Sequence, residues 1–248
     1  MTFLRIGDSR LYVEDAGTGD PVLVLHGGFG CLDALRPLTD ALTPHFRVLG
    51  YDRPGHGRSP DIDADYSYPR DVETAVAFLD AHRLPAAHIV GYSDGAVIAL
   101  MLALAHPDRV RSLVAIGGNL DPTAFADTDS GLPQLTPPAF DENAPDRDRE
   151  RYDRLSPDGA DHADVVLAKL ARLWRTEPQI AAAELSGIPS PALIMSADHD
   201  TIRPDHSLLI AASIPHAQLC IVPGTTHDLI AERPELVGLI VREFLAGR

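Results

Sequence analysis

The chain has 248 residues, 45% of them hydrophobic, which is enough for one sizeable core and a length at which α/β folds commonly form a single domain. Its 36 acidic residues against 21 basic ones give a formal charge of -15, which repels nucleic-acid phosphates and anionic lipid surfaces and argues against both as partners. Cys31 and Cys220 stand far apart in no metal-type spacing, and MTFLRIGDSR lacks an apolar signal-peptide region, so a cytoplasmic protein with free thiols is expected.

Residues 2–6 and 11–14 flank Gly7-Asp8-Ser9 and read as an antiparallel hairpin. A β-type run at 22–25 then stops at His26-Gly27-Gly28-Phe29-Gly30, where consecutive glycines allow a ligand close to main-chain N–H groups. An ordinary loop is the alternative reading there. A helical pattern over 32–42, a strand at 46–49 and the polar, Gly-rich stretch 51–59 follow. Val72, Ala75, Val76 and Leu79 mark a helix, and residues 87–90 the next strand. Residues 96–105 are apolar throughout, a core helix too short for a bilayer, which needs about 20 residues. A further strand at 110–116 ends at Gly117-Gly118.

Strands and helices alternating in this way predict βαβ units and a largely parallel sheet. The rhythm breaks over residues 119–185, an insertion that is Pro-rich and acidic, with 12 Asp or Glu against four Arg between Asp121 and Asp164. Its second part places Val166, Leu170, Leu173 and Trp174 on one face of a helix, and Phe125, Phe140, Tyr152 and Leu155 give the first part something to bury. A small, partly helical cap is expected. A strand at 192–195, a helix at 208–212, a strand at 218–222 and an amphipathic helix at 234–246 complete the pattern.

Between the strand at 87–90 and the buried helix lies Gly91-Tyr92-Ser93-Asp94-Gly95, a G-x-S-x-G turn tight enough to push the Ser93 hydroxyl out over the sheet edge. A serine becomes a nucleophile only when a base takes its proton. Among 11 histidines, His227 follows a predicted strand and a Gly224-Thr225-Thr226 turn, at the edge where ligands gather in open α/β sheets. His45, His82, His162, His206 and His216 read as solvated loop residues. The base needs a carboxylate to fix its tautomer, and Asp198 and Asp200 both lie just beyond the strand at 192–195.

The order Ser93, Asp200, His227, each at a strand end, resembles the α/β-hydrolase superfamily over essentially the whole chain. HGGFG is similar to that family's oxyanion loop, YDRPGHGRS to the loop after its fourth strand, GYSDG to its nucleophile elbow and GTTHDLIAERPE to its histidine loop. ADHDTIRP resembles the acid loop, which selects Asp200 over Asp198 by its place four residues before the proline. Ala96 and Ala197 depart from family glycines without removing a reactive group.

The resemblance implies an α/β-hydrolase fold: a mostly parallel, eight-stranded sheet flanked by helices, with the cap inserted. It implies a serine hydrolase that cleaves a small carboxylic ester or related acyl bond without metal or organic cofactor, acting on a small molecule as a monomer or homodimer. Lactone, amide and C–C bond hydrolysis use the same triad, and a lyase or ligand receptor of this fold is the alternative of a different class. The oxyanion hole would be the backbone N–H groups of Gly28 and Asp94, with Phe29 in place of Gly28 as the other choice. The S-D-G elbow resembles amino-acid ester hydrolases of the valacyclovirase type, so the Asp94 carboxylate is read two ways: as a partner for the helix dipole, or as a contact for a substrate ammonium. Phe29 and Trp174 are candidate substrate contacts, and packing between cap and body is the competing role for Trp174.

Overall fold

The apolar runs without polar alternation form the middle of one eight-stranded sheet, because strands covered on both faces need no polar side. In the computed structural model, which describes residues 2–125 and 146–247, the strands are β1 (Thr2–Ile6), β2 (Ser9–Ala16), β3 (Pro21–Leu25), β4 (Arg47–Tyr51), β5 (Ala87–Tyr92), β6 (Val110–Ile116), β7 (Ala192–His199) and β8 (Ala217–Thr226). Their order is β1-β2-β4-β3-β5-β6-β7-β8. The β1–β2 and β2–β4 pairs are antiparallel and every later pair is parallel. The helices are α1 (Arg36–Leu42), α2 (Tyr68–Ala81), α3 (Asp94–Ala105), α4 (Arg147–Leu155), α5 (Ala163–Thr176), α6 (Pro204–Ser213), α7 (Leu229–Glu232) and α8 (Pro234–Ala246).

Side-chain alternation along the strands divides the core in two. Leu23, Leu25, Ile89, Leu113 and Ile194 pack with α2, α3 and α6 on one face, while Val22, Val24, Val90, Val114 and Met195 pack with α1 and α8 on the other. Helix α3 is buried nearly all round, which explains its uniformly apolar sequence. Among the described residues no helix is long and apolar enough to cross a membrane. Helices α4 and α5 belong to the segment expected as an insertion, where Tyr152 and Val166 are buried as read; Phe140 lies outside the described residues.

The last two strands run further than the sequence indicates. β7 continues to His199 and β8 to Thr226, so Gly224-Thr225-Thr226 is strand end rather than turn. The Asp198 carboxylate accepts from the Gly224 and Thr225 N–H groups at 2.9 and 3.1 Å, joining the strands across an irregular step in their pairing. Because β3, β5, β7 and β8 are parallel, the segments that follow them, with His26, Ser93, Asp200 and His227, collect along one edge of the sheet.

Candidate active site

Ser93 sits at the junction of β5 and α3 with φ 54° and ψ -119°, a left-handed setting uncommon for a residue with a side chain. The surrounding hydrogen bonds impose it. The Ser93 N–H donates to the Ile116 carbonyl at 2.8 Å, and the Ser93 carbonyl accepts from Ala96 and Val97 at 2.8 and 3.2 Å. A Cβ on Gly91 would overlap the Gly95 carbonyl, and one on Gly95 would overlap the Leu25 carbonyl, so both positions exclude a side chain.

The three residues selected from the sequence meet. Ser93 Oγ lies 3.0 Å from His227 Nε2, and His227 Nδ1 lies 2.6 Å from Asp200 Oδ1. An ionised carboxylate only accepts, so Nδ1 carries the proton and Nε2 is left to accept from the hydroxyl. Burial opposes charge on His227, but the Asp200 carboxylate outweighs it, with Asp228 and Asp94 adding to the effect, and the imidazole pKa is raised above its ordinary value. Burial pushes the Asp200 carboxyl up as well. His227 and the N–H groups of Ile202 and Ala197 prevail and hold it below the usual carboxylate range. Asp198, the competing acid, is spent on the β8 backbone.

The loop after β3 passes directly over the nucleophile: a Cβ on Gly27 would lie 2.9 Å from Ser93 Cβ. His26 anchors it, with Nδ1 2.8 Å from the Gly27 carbonyl and Nε2 accepting from the Arg53 N–H at 2.9 Å. Burial lowers the His26 pKa to about 3, so the ring stays neutral and keeps that acceptor. Among the described residues the Gly28 N–H has no hydrogen-bond partner, and the Asp94 N–H belongs to the first helical turn, where intrahelical acceptors are lacking. Both features suit donors for a developing oxyanion.

Asp94, Phe29 and Trp174, expected as substrate contacts, are each engaged by the protein's own groups. The Asp94 carboxylate is buried and accepts three hydrogen bonds: from Arg53 Nη2 at 2.9 Å, Tyr68 Oη at 3.0 Å and Trp174 Nε1 at 2.9 Å. The protein's own groups thus take three of the about four acceptor positions a carboxylate offers. Phe29, with φ 54°, is buried and stacks on Tyr152 at 5.2 Å between centroids. Trp174 is turned onto Asp94. None of the three lines the cavity of about 460 Å³ above Ser93.

That cavity is bounded by Gly28, Tyr92 and His227 around Ser93, by Ala34, Ile230 and Ala231, and by Asp148 and Arg151 of α4. Neither Tyr92 nor the α4 side chains carry a functional signal in the sequence; Tyr92 is legible only as the residue preceding the serine. Three histidines expected on solvated loops are engaged instead: His206 is buried and its Nε2 accepts from the Leu120 N–H at 3.0 Å, His162 Nε2 lies 2.9 Å from Asp61, and His82 Nδ1 lies 2.9 Å from the Phe78 carbonyl.

A family profile described as alpha/beta hydrolase fold matches residues 20–156. The chain is 30% identical to a 2-hydroxymuconate semialdehyde hydrolase of Pseudomonas sp. strain CF600, over 96% of this chain and 90% of that protein. It is 28% identical to a pimeloyl-[acyl-carrier protein] methyl ester esterase of Yersinia enterocolitica, over 95% of this chain and 97% of that one. A solved structure of a hydrolase from Pseudomonas aeruginosa PA01 superposes with a TM-score of 0.78 at 26% identity, covering 98% of this chain and 97% of its own.

Proposed function

Since the chain belongs to the alpha/beta hydrolase family, we propose that it is a serine hydrolase acting on a small carboxylic ester or related acyl bond through an acyl-enzyme intermediate. The observation that carries this reading is the continuous path from Ser93 Oγ through His227 to Asp200, at 3.0 and 2.6 Å. His227 Nε2 takes the hydroxyl proton as Oγ attacks the acyl carbon, and Asp200 holds the ring in the required tautomer and stabilises the imidazolium. The Gly28 and Asp94 N–H groups receive the charge on the carbonyl oxygen; losing one such donor costs about 100- to 1,000-fold in rate. The imidazolium then protonates the leaving alcohol, and a water activated by the same nitrogen releases the acid.

The cavity supports a compact substrate, since about 460 Å³ lies near the lower end of ligand sites and α4 contributes charged rather than apolar wall. The valacyclovirase-like reading, with a preference for amino-bearing esters, finds no support in Asp94, whose carboxylate already serves Arg53, Tyr68 and Trp174. The relatives' names include both an ester hydrolase and a semialdehyde hydrolase, so a discriminating panel spans short p-nitrophenyl esters, a lactone and a vinylogous 1,5-diketone for C–C cleavage. The expected result is turnover of a short ester that Ser93→Ala abolishes. Turnover that survives Ser93→Ala, or none on any acyl substrate, would overturn the reading.

A further inference from the structure

Asp94 brings three other parts of the fold to one carboxylate. Oδ2 accepts from Arg53, on the loop after β4. Oδ1 accepts from Tyr68, which begins α2, and from Trp174, near the end of α5. Arg53 is shared in turn with Asp71 at 3.0 Å, and the Arg53 and Asp94 side chains are only 2% and 5% exposed. Burial opposes charge on Arg53, but the Asp71 and Asp94 carboxylates outweigh it and hold the guanidinium protonated. The group is therefore a buried hydrogen-bonded network of one guanidinium between two carboxylates, costly to open because each buried partner would lose its mate.

The network lies directly under the oxyanion donors. A Cβ on Gly28 would fall 2.5 Å from Trp174 Cζ2 and 2.7 Å from Asp94 Oδ2, so the Gly28 backbone rests on the indole and the carboxylate together. The other donor is the N–H of Asp94 itself. One side chain thus touches the support of both donors while lying outside the cavity lining.

We propose that the Asp94 carboxylate is the positioning residue of the oxyanion hole, fixing the Gly28 and Asp94 N–H groups through Arg53, Tyr68 and Trp174 without touching substrate. The proposal rests on the serine-hydrolase reading. It inverts the expectation drawn from the S-D-G elbow: the aspartate sets transition-state geometry rather than selecting an ammonium. A carboxylate is required because Arg53 and Trp174, which can only donate, sit on opposite oxygens, and an amide would turn its NH2 toward one of them.

The test compares Asp94→Asn and Trp174→Phe with wild type on a neutral p-nitrophenyl ester and its α-amino analogue. Active sites are counted by fluorophosphonate titration, and a trifluoromethyl ketone probes the oxyanion hole as a tetrahedral adduct. Misplaced donors lower kcat by about 10- to 100-fold in Asp94→Asn, equally on both esters, with KM nearly unchanged and ketone affinity weakened by a similar factor. Trp174→Phe keeps a ring against Gly28 but loses one N–H donor, so a smaller loss of the same kind is expected; it decides the matter should Asp94→Asn fail to fold. A loss confined to the amino ester would overturn the proposal in favour of ammonium binding. Wild-type kcat and ketone affinity per titrated site, in either folded variant, would reduce the network to packing and overturn it too. A wild-type chain that neither turns over nor forms the adduct would instead defeat the serine-hydrolase reading, and this proposal with it.

Discussion

The Tyr92 hydroxyl donates to the backbone carbonyl of His227 at 3.0 Å, and its ring lies 5.2 Å from the imidazole, so the residue before the nucleophile also holds the base. This contact bridges the ends of β5 and β8 across two intervening strands. Tyr92→Phe keeps the ring and loses the hydrogen bond, and a stability loss of about 1 kcal/mol is expected with kcat reduced only a few-fold. Tyr92→Leu, which also removes the ring, is expected to lower kcat further. Equal kcat in Tyr92→Leu and wild type would show that the imidazole is held without it.

The pH profile follows from the raised His227 pKa. The base works neutral, so kcat/KM rises with pH through that pKa, and the limb lies above the ordinary imidazole value of about 6.5. Stability runs the other way: the imidazolium–Asp200 pair contributes fully below the unfolded-state pKa, and this contribution is lost as pH rises through the raised native value. Asp200→Asn removes the principal raising charge while burial remains, so the limb moves down and kcat drops by about 10⁴. A rate profile of both proteins measures this, and an unmoved limb would contradict the assignment of Asp200.

Asp198 provides the complementary control. Its carboxylate holds β8 through Gly224 and Thr225, so Asp198→Asn is expected to cost about 1 kcal/mol in denaturant unfolding and to leave kcat within about threefold. A collapse of kcat in this variant, with Asp200→Asn active, would exchange the two acids.

The elbow makes a stability prediction independent of chemistry. Gly91→Ala places a methyl against the Gly95 carbonyl, a backbone atom with nowhere to go, and a loss of about 3 kcal/mol is expected. Gly187→Ala is the matched control: nothing lies within 4 Å of the added carbon, and the change stays within about 0.5 kcal/mol. Thermal unfolding of the pair reads the difference.

These relationships differ in how far the sequence displays them. Apolar runs such as 110–116 mark strands buried on both faces, and Ser93 sits in a local sequence pattern, although only Gly91 has a local cause, the Gly95 carbonyl, while Gly95 is required by the distant Leu25 carbonyl. Asp200 and His227 were legible because motif order places each after a strand. The environment of Asp94 was not, because its partners Arg53 and Trp174 are 41 and 80 positions away and meet it only once α5 packs against the loop after β4. The strand extension past Met195 is hidden for the same reason: the bond from Gly224 to Asp198 spans 26 positions. Likewise, nothing in the acidic composition of the insertion indicates that Asp148 and Arg151 face the cavity.

The claim that Ser93 is an activated nucleophile is tested most directly by intact-mass and peptide mapping after incubation with a fluorophosphonate. A single adduct on Ser93 is expected, absent in Ser93→Ala and slowed by orders of magnitude in His227→Ala. Folded wild-type protein that remains unmodified, or an adduct on another residue, would contradict the account.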